Sequence, residues 1–110
     1  MPSILESLKA TFGLASKTRD WSVGIEETGR NGSVTYRDAA GSLSFYWEFG
    51  GGDTVATLEV GTESEWRSRH PWAAARRTEI LRRIADEVIR QKAPKHGAEI
   101  DETAGFINIR

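Results

Sequence analysis

The side chains best suited to binding chemistry are concentrated between Trp66 and His96. That segment holds nine Lys or Arg against three acids, a balance of +6. The remaining residues hold six against thirteen, a balance of −7, so the formal net charge of −1 conceals a strong polarity. Arg67, Arg69, Arg76, Arg82, Arg83 and Arg90 stand beside Trp66 and Trp72. Guanidinium donors with aromatic platforms are what a phosphate backbone with stacked bases requires. Arg77, Lys92 and Lys95 complete the cations. Acids interleave with them at helical spacing: Glu79 with Arg83, Arg82 with Asp86, Arg83 with Glu87, and Asp86 with Arg90. Such spacing predicts ion pairs along a solvated helix face, and paired acids weaken the field an anion meets. Overall neutrality also departs from the basic balance of dedicated nucleic-acid domains.

Other chemistries find less support. The two histidines, His70 and His96, bracket the same predicted helix, which at about 1.5 Å per residue holds them roughly 35 to 40 Å apart, too far to share a metal. Glu99, Asp101 and Glu102 lack the spacing of a calcium loop and read as acids of a solvated hairpin. No cysteine is present, which removes thiolate ligands, disulfides and thiol nucleophiles together. No Gly-x-Ser-x-Gly turn presents a serine, and His70 immediately precedes a helix-starting proline, where capping is its expected role. Gly50 to Gly52 join two strands and run into Asp53, which repels phosphate, so they read as a hairpin tip rather than a phosphate loop. Glu26, Glu48 and Glu59 share one predicted sheet face with Arg37 and Tyr46. An uncovered sheet desolvates carboxylates too little to set them up as acid and base. No catalytic residue, metal site or cofactor is assigned.

The elements that position these residues follow from periodicity. Ser3-x-x-Glu6 is a capping box for a short N-terminal helix with Ile4, Leu5, Leu8 and Phe12 on one face and Gly13 as its stop. From Trp21 to Val60 the period is two. Turns at Gly29-Arg30-Asn31-Gly32, Asp38-Ala39-Ala40-Gly41 and Gly50-Gly51-Gly52-Asp53 divide this stretch into four strands of an antiparallel meander. One face collects Trp21, Val23, Ile25, Val34, Tyr36, Leu43, Phe45, Trp47, Phe49, Ala56, Leu58 and Val60. Plain hairpins would set Ile25 opposite Val34, Tyr36 opposite Leu43 and Trp47 opposite Ala56. Thr62-x-x-Glu65 is a second capping box, for a short helix carrying Trp66. Pro71 then starts the main helix, whose inward stripe is Ala73, Arg77, Ile80, Leu81, Ile84, Ala85 and Val88, ending near Lys92. Ala98, Ile100, Ile107 and Ile109 alternate with polar residues around Glu102-Thr103-Ala104-Gly105 and predict a terminal hairpin.

The predicted architecture is thus a single two-layer α+β domain over residues 1–110. An antiparallel four-strand meander, extended by the C-terminal hairpin, is packed on one face by a long C-terminal helix and a short N-terminal one. Hydrophobic residues at 38% and charged residues at 28% are ordinary globular values. No run approaches the roughly 20 apolar residues of a membrane span. The N-terminus lacks the basic start and apolar run of a signal peptide, so a cytoplasmic location without membrane association is expected.

The functional expectation is a non-catalytic protein-interaction or adaptor domain, its partner another protein or a second copy of itself. Two alternatives are carried. The first is nucleic-acid or anion binding through the basic helix 66–95. The second is a small enzyme or ligand carrier with a pocket around Trp66, Arg67, Arg69, His70 and Trp72, should those tryptophans line a cavity instead of closing the core.

Overall fold

The computed structural model describes residues 19–110; the N-terminal helix expected from Ser3 lies outside them. The chain runs β1 (Ser22–Thr28), β2 (Asn31–Asp38), β3 (Gly41–Phe49), β4 (Ala56–Glu59), α1 (Glu63–Arg69), a 3-10 segment (Pro71–Arg76), α2 (Arg77–Lys92), β5 (Ala98–Asp101) and β6 (Phe106–Ile109). All six strands form one antiparallel sheet in the order β1-β2-β3-β4-β6-β5. The α+β class and the antiparallel sheet are as the sequence predicts.

Two-residue turns fix the first two hairpins, and Ile25 faces Val34 while Tyr36 faces Leu43. The third hairpin corrects the expected register: Trp47 pairs with Leu58, and Ala56 pairs with Phe49. The loop is longer than the glycine run, because Gly50 N–H donates to Val55 O at 2.9 Å and Thr54 N–H to Gly51 O at 3.1 Å. The shift is two residues, an even number, so every side chain keeps its face. Gly32 opposes Trp47, whose indole Nε1 reaches across it to Glu26 O at 3.1 Å. A Cβ at Gly32 would lie 2.9 Å from that nitrogen and 1.9 Å from Glu26 O, so only glycine admits the indole there.

Thr62 and Glu65 form the expected capping box, with Glu65 N–H donating to Thr62 Oγ1 at 3.3 Å and Thr62 N–H to Glu65 Oε1 at 2.9 Å. The main helix begins later than expected: Pro71–Arg76 is wound as a 3-10 segment and the α-helix starts at Arg77. The buried Trp66 indole donates to Ala73 O at 3.0 Å, the carbonyl an α-helix would offer to the Arg77 amide, and the chain winds more tightly over that stretch.

The predicted inward stripe of α2, from Arg77 through Ile80, Leu81, Ile84 and Ala85 to Val88, is buried, and Ala73 with it. It joins Val34, Tyr36, Leu43, Phe45, Trp47, Leu58, Ile107 and Ile109 in one core cluster. Each of these larger side chains contributes about 1.5 to 3 kcal/mol on leaving water. Phe49, assigned by parity to the core face, is 41% exposed at the end of β3. α2 touches both edge strands, β1 and β5, so the sheet curls around it. Gln91 Nε2 donates to Val23 O on the β1 edge at 2.9 Å. The turn between β5 and β6 docks on the start of α1 through Gly105 (φ +85°). A Cβ at Gly105 would lie 2.4 Å from the Gly61 carbonyl carbon.

Candidate functional site

The cations singled out in the sequence are distributed over the helical side, and most are held by carboxylates. Arg67 pairs with Glu63 at 3.0 Å, and Arg82 with Asp86 at 3.8 Å. Arg76 and Arg83 belong to a closed ring of polar contacts. Tyr36 hydroxyl donates to Asp38 at 2.8 Å and accepts from Arg83 Nη1 at 2.8 Å. Arg83 Nη2 meets Glu79 at 2.8 Å; Glu79 meets Arg76 at 3.3 Å; Arg76 Nη1 returns to Asp38 at 3.0 Å. Burial would raise the Asp38 carboxyl, but hydrogen bonds from Tyr36, the Ala40 amide and Arg76 hold it below its ordinary value. Burial pushes the Tyr36 phenol up. The ring ties the end of β2 to the 3-10 segment and α2. Asp38 accepts from three donors and Tyr36 gives its phenol proton to Asp38, so both groups serve to hold these elements together.

Arg90 pairs with Glu87, not with Asp86 as the spacing suggested, and Arg83 does not reach Glu87. Glu87 is only 4% exposed. It accepts from Arg90, from Arg19 Nη1 at 3.0 Å and from Gln91 Nε2 at 3.1 Å. Burial opposes its charge, yet those hydrogen bonds prevail and bring its pKa from 4.5 down to about 2. Arg77 Nη2 donates to Gly61 O at 2.8 Å and to Glu102 O at 2.9 Å, and Nη1 meets the Glu102 carboxylate at 3.3 Å. Lys92 pairs with Glu27 at 3.0 Å. Arg69 has no ion pair among the described residues.

The aromatic members of the predicted site fill space. Trp66 stacks on Phe45, with centroids 5.6 Å apart, and lies within the core. Half-buried His70 sets its ring edge-on to both, and burial with neighbouring Arg69 lowers its pKa. It ends α1 through its backbone, with no side-chain capping bond. Trp72 lies over Gly41. The nine residues expected to bind do not converge on one pocket. A cleft of about 650 Å³ opens between α1, the 3-10 segment and the β5–β6 turn, and of the nine only Arg67 lines it. Several of its polar groups are engaged within the chain: Arg67 with Glu63, Arg77 and Thr78 with Glu102. A second, apolar cavity of about 210 Å³ lies between Ile25, Trp47, Phe49, Val55 and Val88, below the usual size of a small-molecule site. Among the described residues, no three His, Asp or Glu side chains gather as a metal site would require.

The face of the sheet turned away from α2 carries several carboxylates that meet only neutral donors among the described residues, Ser33 at Glu26, Tyr46 at Glu48 and the Ala104 amide at Asp101. Register places two rows across all six strands. The first runs Glu26, Ser33, Tyr46, Glu59, Phe106, Asp101. The second runs Thr28, Asn31, Glu48, Thr57, Asn108, Glu99. Glu99 pairs with Arg110 at 3.1 Å, but Glu26, Glu48, Glu59 and Asp101 have no cationic partner among the described residues. Tyr46 and Phe106 are exposed large aromatics, at 43% and 37%. Tyr46 hydroxyl donates to Glu48 at 3.1 Å, and that bond, with the nearby charges of Glu48 and Glu59, raises its pKa. Glu26, Tyr46, Glu48 and Glu59 stand on the polar face that periodicity assigns. Phe106 was not singled out, although its position one residue before the inward Ile107 was the available signal. No protein-family model, curated protein or solved structure matches the chain.

Proposed function

We propose that this protein is a non-catalytic interaction domain whose partner, a second polypeptide, docks on the open face of the sheet. The observation that carries the reading is the pair of rows on that face, where unpaired carboxylates flank two exposed aromatic rings. Exposed aromatics surrounded by a polar rim mark recognition surfaces, and aromatic residues dominate the energetics of protein interfaces. The helical side supports the same choice from the opposite direction. Its cations are largely neutralised by carboxylates, which reduces the field available to a nucleic acid.

The test is site-specific photo-crosslinking in the cells that make the protein, with the reactive residue at Ser44 on the open face or at Arg82 on the helical face. The expected result is a discrete protein adduct from position 44 that disappears in the Glu59→Lys variant, with none from position 82. Absence of an adduct at 44 overturns the reading. A nuclease-sensitive adduct from 82 replaces it with nucleic-acid binding through the basic helix.

A further inference from the structure

The register across the centre of the sheet assembles a more specific site than a charged surface. Tyr46 on β3 pairs with Glu59 on β4, and Glu59 pairs with Phe106 on β6. The three side chains therefore stand in one line on the open face, ring, carboxylate, ring. Neighbouring strands lie about 4.8 Å apart, so the two rings rise from the sheet about 10 Å from each other with the carboxylate between their bases. We propose that Tyr46, Glu59 and Phe106 form a recognition site for an arginine side chain of the partner polypeptide. This rests on the interaction reading above and names the partner's chemistry.

A guanidinium is flat. It stacks on an aromatic face by cation–π attraction while its fork of N–H donors engages a carboxylate with two parallel hydrogen bonds. The line of side chains offers both kinds of contact at once, and Glu59 has no cation of its own among the described residues. Glu48, which holds the Tyr46 hydroxyl, and Asp101, directly opposite Phe106, deepen the negative potential on either side. The chain uses the same stacking internally: the guanidinium of Arg19 lies 4.3 Å, and that of Arg83 5.0 Å, from the ring centroid of Trp21. A second copy is a poor occupant, since its open face is equally acidic and most arginines of its helical side are held by its own carboxylates. Phosphate-bearing partners are repelled by the same rows.

The experiment is isothermal titration of the full chain with a capped synthetic peptide of alternating arginine and glycine. The same peptide carrying lysine, and the same carrying the neutral isostere citrulline, serve as comparisons. The arginine peptide is expected to bind, more tightly at low salt, the lysine peptide several-fold more weakly, and the citrulline peptide not at all. Glu59→Gln should weaken arginine binding about tenfold, and Tyr46→Leu and Phe106→Leu each several-fold, whereas Tyr46→Phe, which keeps the ring, should retain it. Arg82→Ala on the opposite side should leave it unchanged. All these positions are exposed, so the variants should fold as the parent does, checked by circular dichroism. No binding of the arginine peptide at low salt, or equal affinity in Glu59→Gln, overturns the proposal. So does equal binding of lysine and arginine peptides with no loss in the leucine variants, because that is the behaviour of an unspecific acidic surface. A crosslink at position 44 that persists while these tests fail leaves the docking face standing and removes only the arginine site.

Discussion

The helical side of this molecule and the open side of its sheet carry opposite charge and use it differently. On the helical side, acids and bases meet in geometry that ties elements together: the Asp38, Tyr36, Arg83, Glu79 and Arg76 ring, the buried Glu87 with Arg19 and Arg90, and Arg77 against two backbone carbonyls. On the open side, Glu26, Glu48, Glu59 and Asp101 face water without a counter-ion among the described residues, and two aromatic rings stand among them. Charge of the first kind holds the fold. Charge of the second kind repels itself slightly and meets only neutral donors, such as Tyr46 at Glu48 and the Ala104 amide at Asp101.

The largest effect should come from cutting a tie on the helical side. Arg77→Ala removes a buried guanidinium that satisfies Gly61 O and Glu102 O, leaving those carbonyls and a cavity behind. A loss of about 3 kcal/mol is expected in urea unfolding followed by tryptophan fluorescence. A loss below about 1 kcal/mol would show that the helical side is held by apolar packing alone.

A smaller effect concerns pH and isolates Glu87. Its folded pKa, about 2, lies below the unfolded value near 4.5. The stability it supplies is therefore complete above the unfolded pKa and is lost as pH falls through 4.5 toward 2. Between pH 6 and pH 3 that loss is about 2 kcal/mol. Glu87→Gln, which cannot titrate, should be less stable than the parent at pH 6 and should lose about 2 kcal/mol less over the same interval. Parallel loss in both proteins would detach Glu87 from the acid limb.

The smallest effect belongs to the open side. Reversing Glu48 to lysine should change stability by no more than about 0.5 kcal/mol, in the stabilising direction if the acids repel one another. Arg82→Ala, which breaks an exposed pair at 3.8 Å, should be equally quiet, because exposed ion pairs are worth little. A loss above 1 kcal/mol in Glu48→Lys would give the open face a structural role and weaken the contrast between the sides.

Much of the fold is legible in the residues because it depends on local rules. Alternation from Trp21 to Val60 assigns the strand faces, Phe49 included: it pairs with Ala56 and sets its ring against Trp47, although at the strand end it stays 41% exposed. Two-residue turns after Thr28 and Asp38 leave one register each. The capping box at Thr62 and the stripe from Arg77 to Val88 follow helical spacing. The glycine run after Phe49 could not yield its register, because the loop extends to Val55 through hydrogen bonds that no residue type announces. The 3-10 winding of Pro71–Arg76 depends on where the Trp66 indole finds its acceptor. The candidate site was legible only in part: the acids and Tyr46 fall on the polar face by parity, while the cations expected to bind are mostly engaged within the molecule.

What the sequence determined by itself is therefore the composition of each face: apolar inward, acidic and aromatic outward on the strands, basic on the helix. Periods of 2 and 3.6 residues are properties of the backbone and need no partner element to be read. What only the tertiary structure decided is which outward residues stand side by side and which charges cancel. β6 enters between β4 and β5, setting Phe106 against Glu59, and the curl of the sheet around α2 brings Arg19 to Glu87. Both depend on strand order and long-range closure, which are settled by burial of the whole core and leave no local trace in the chain.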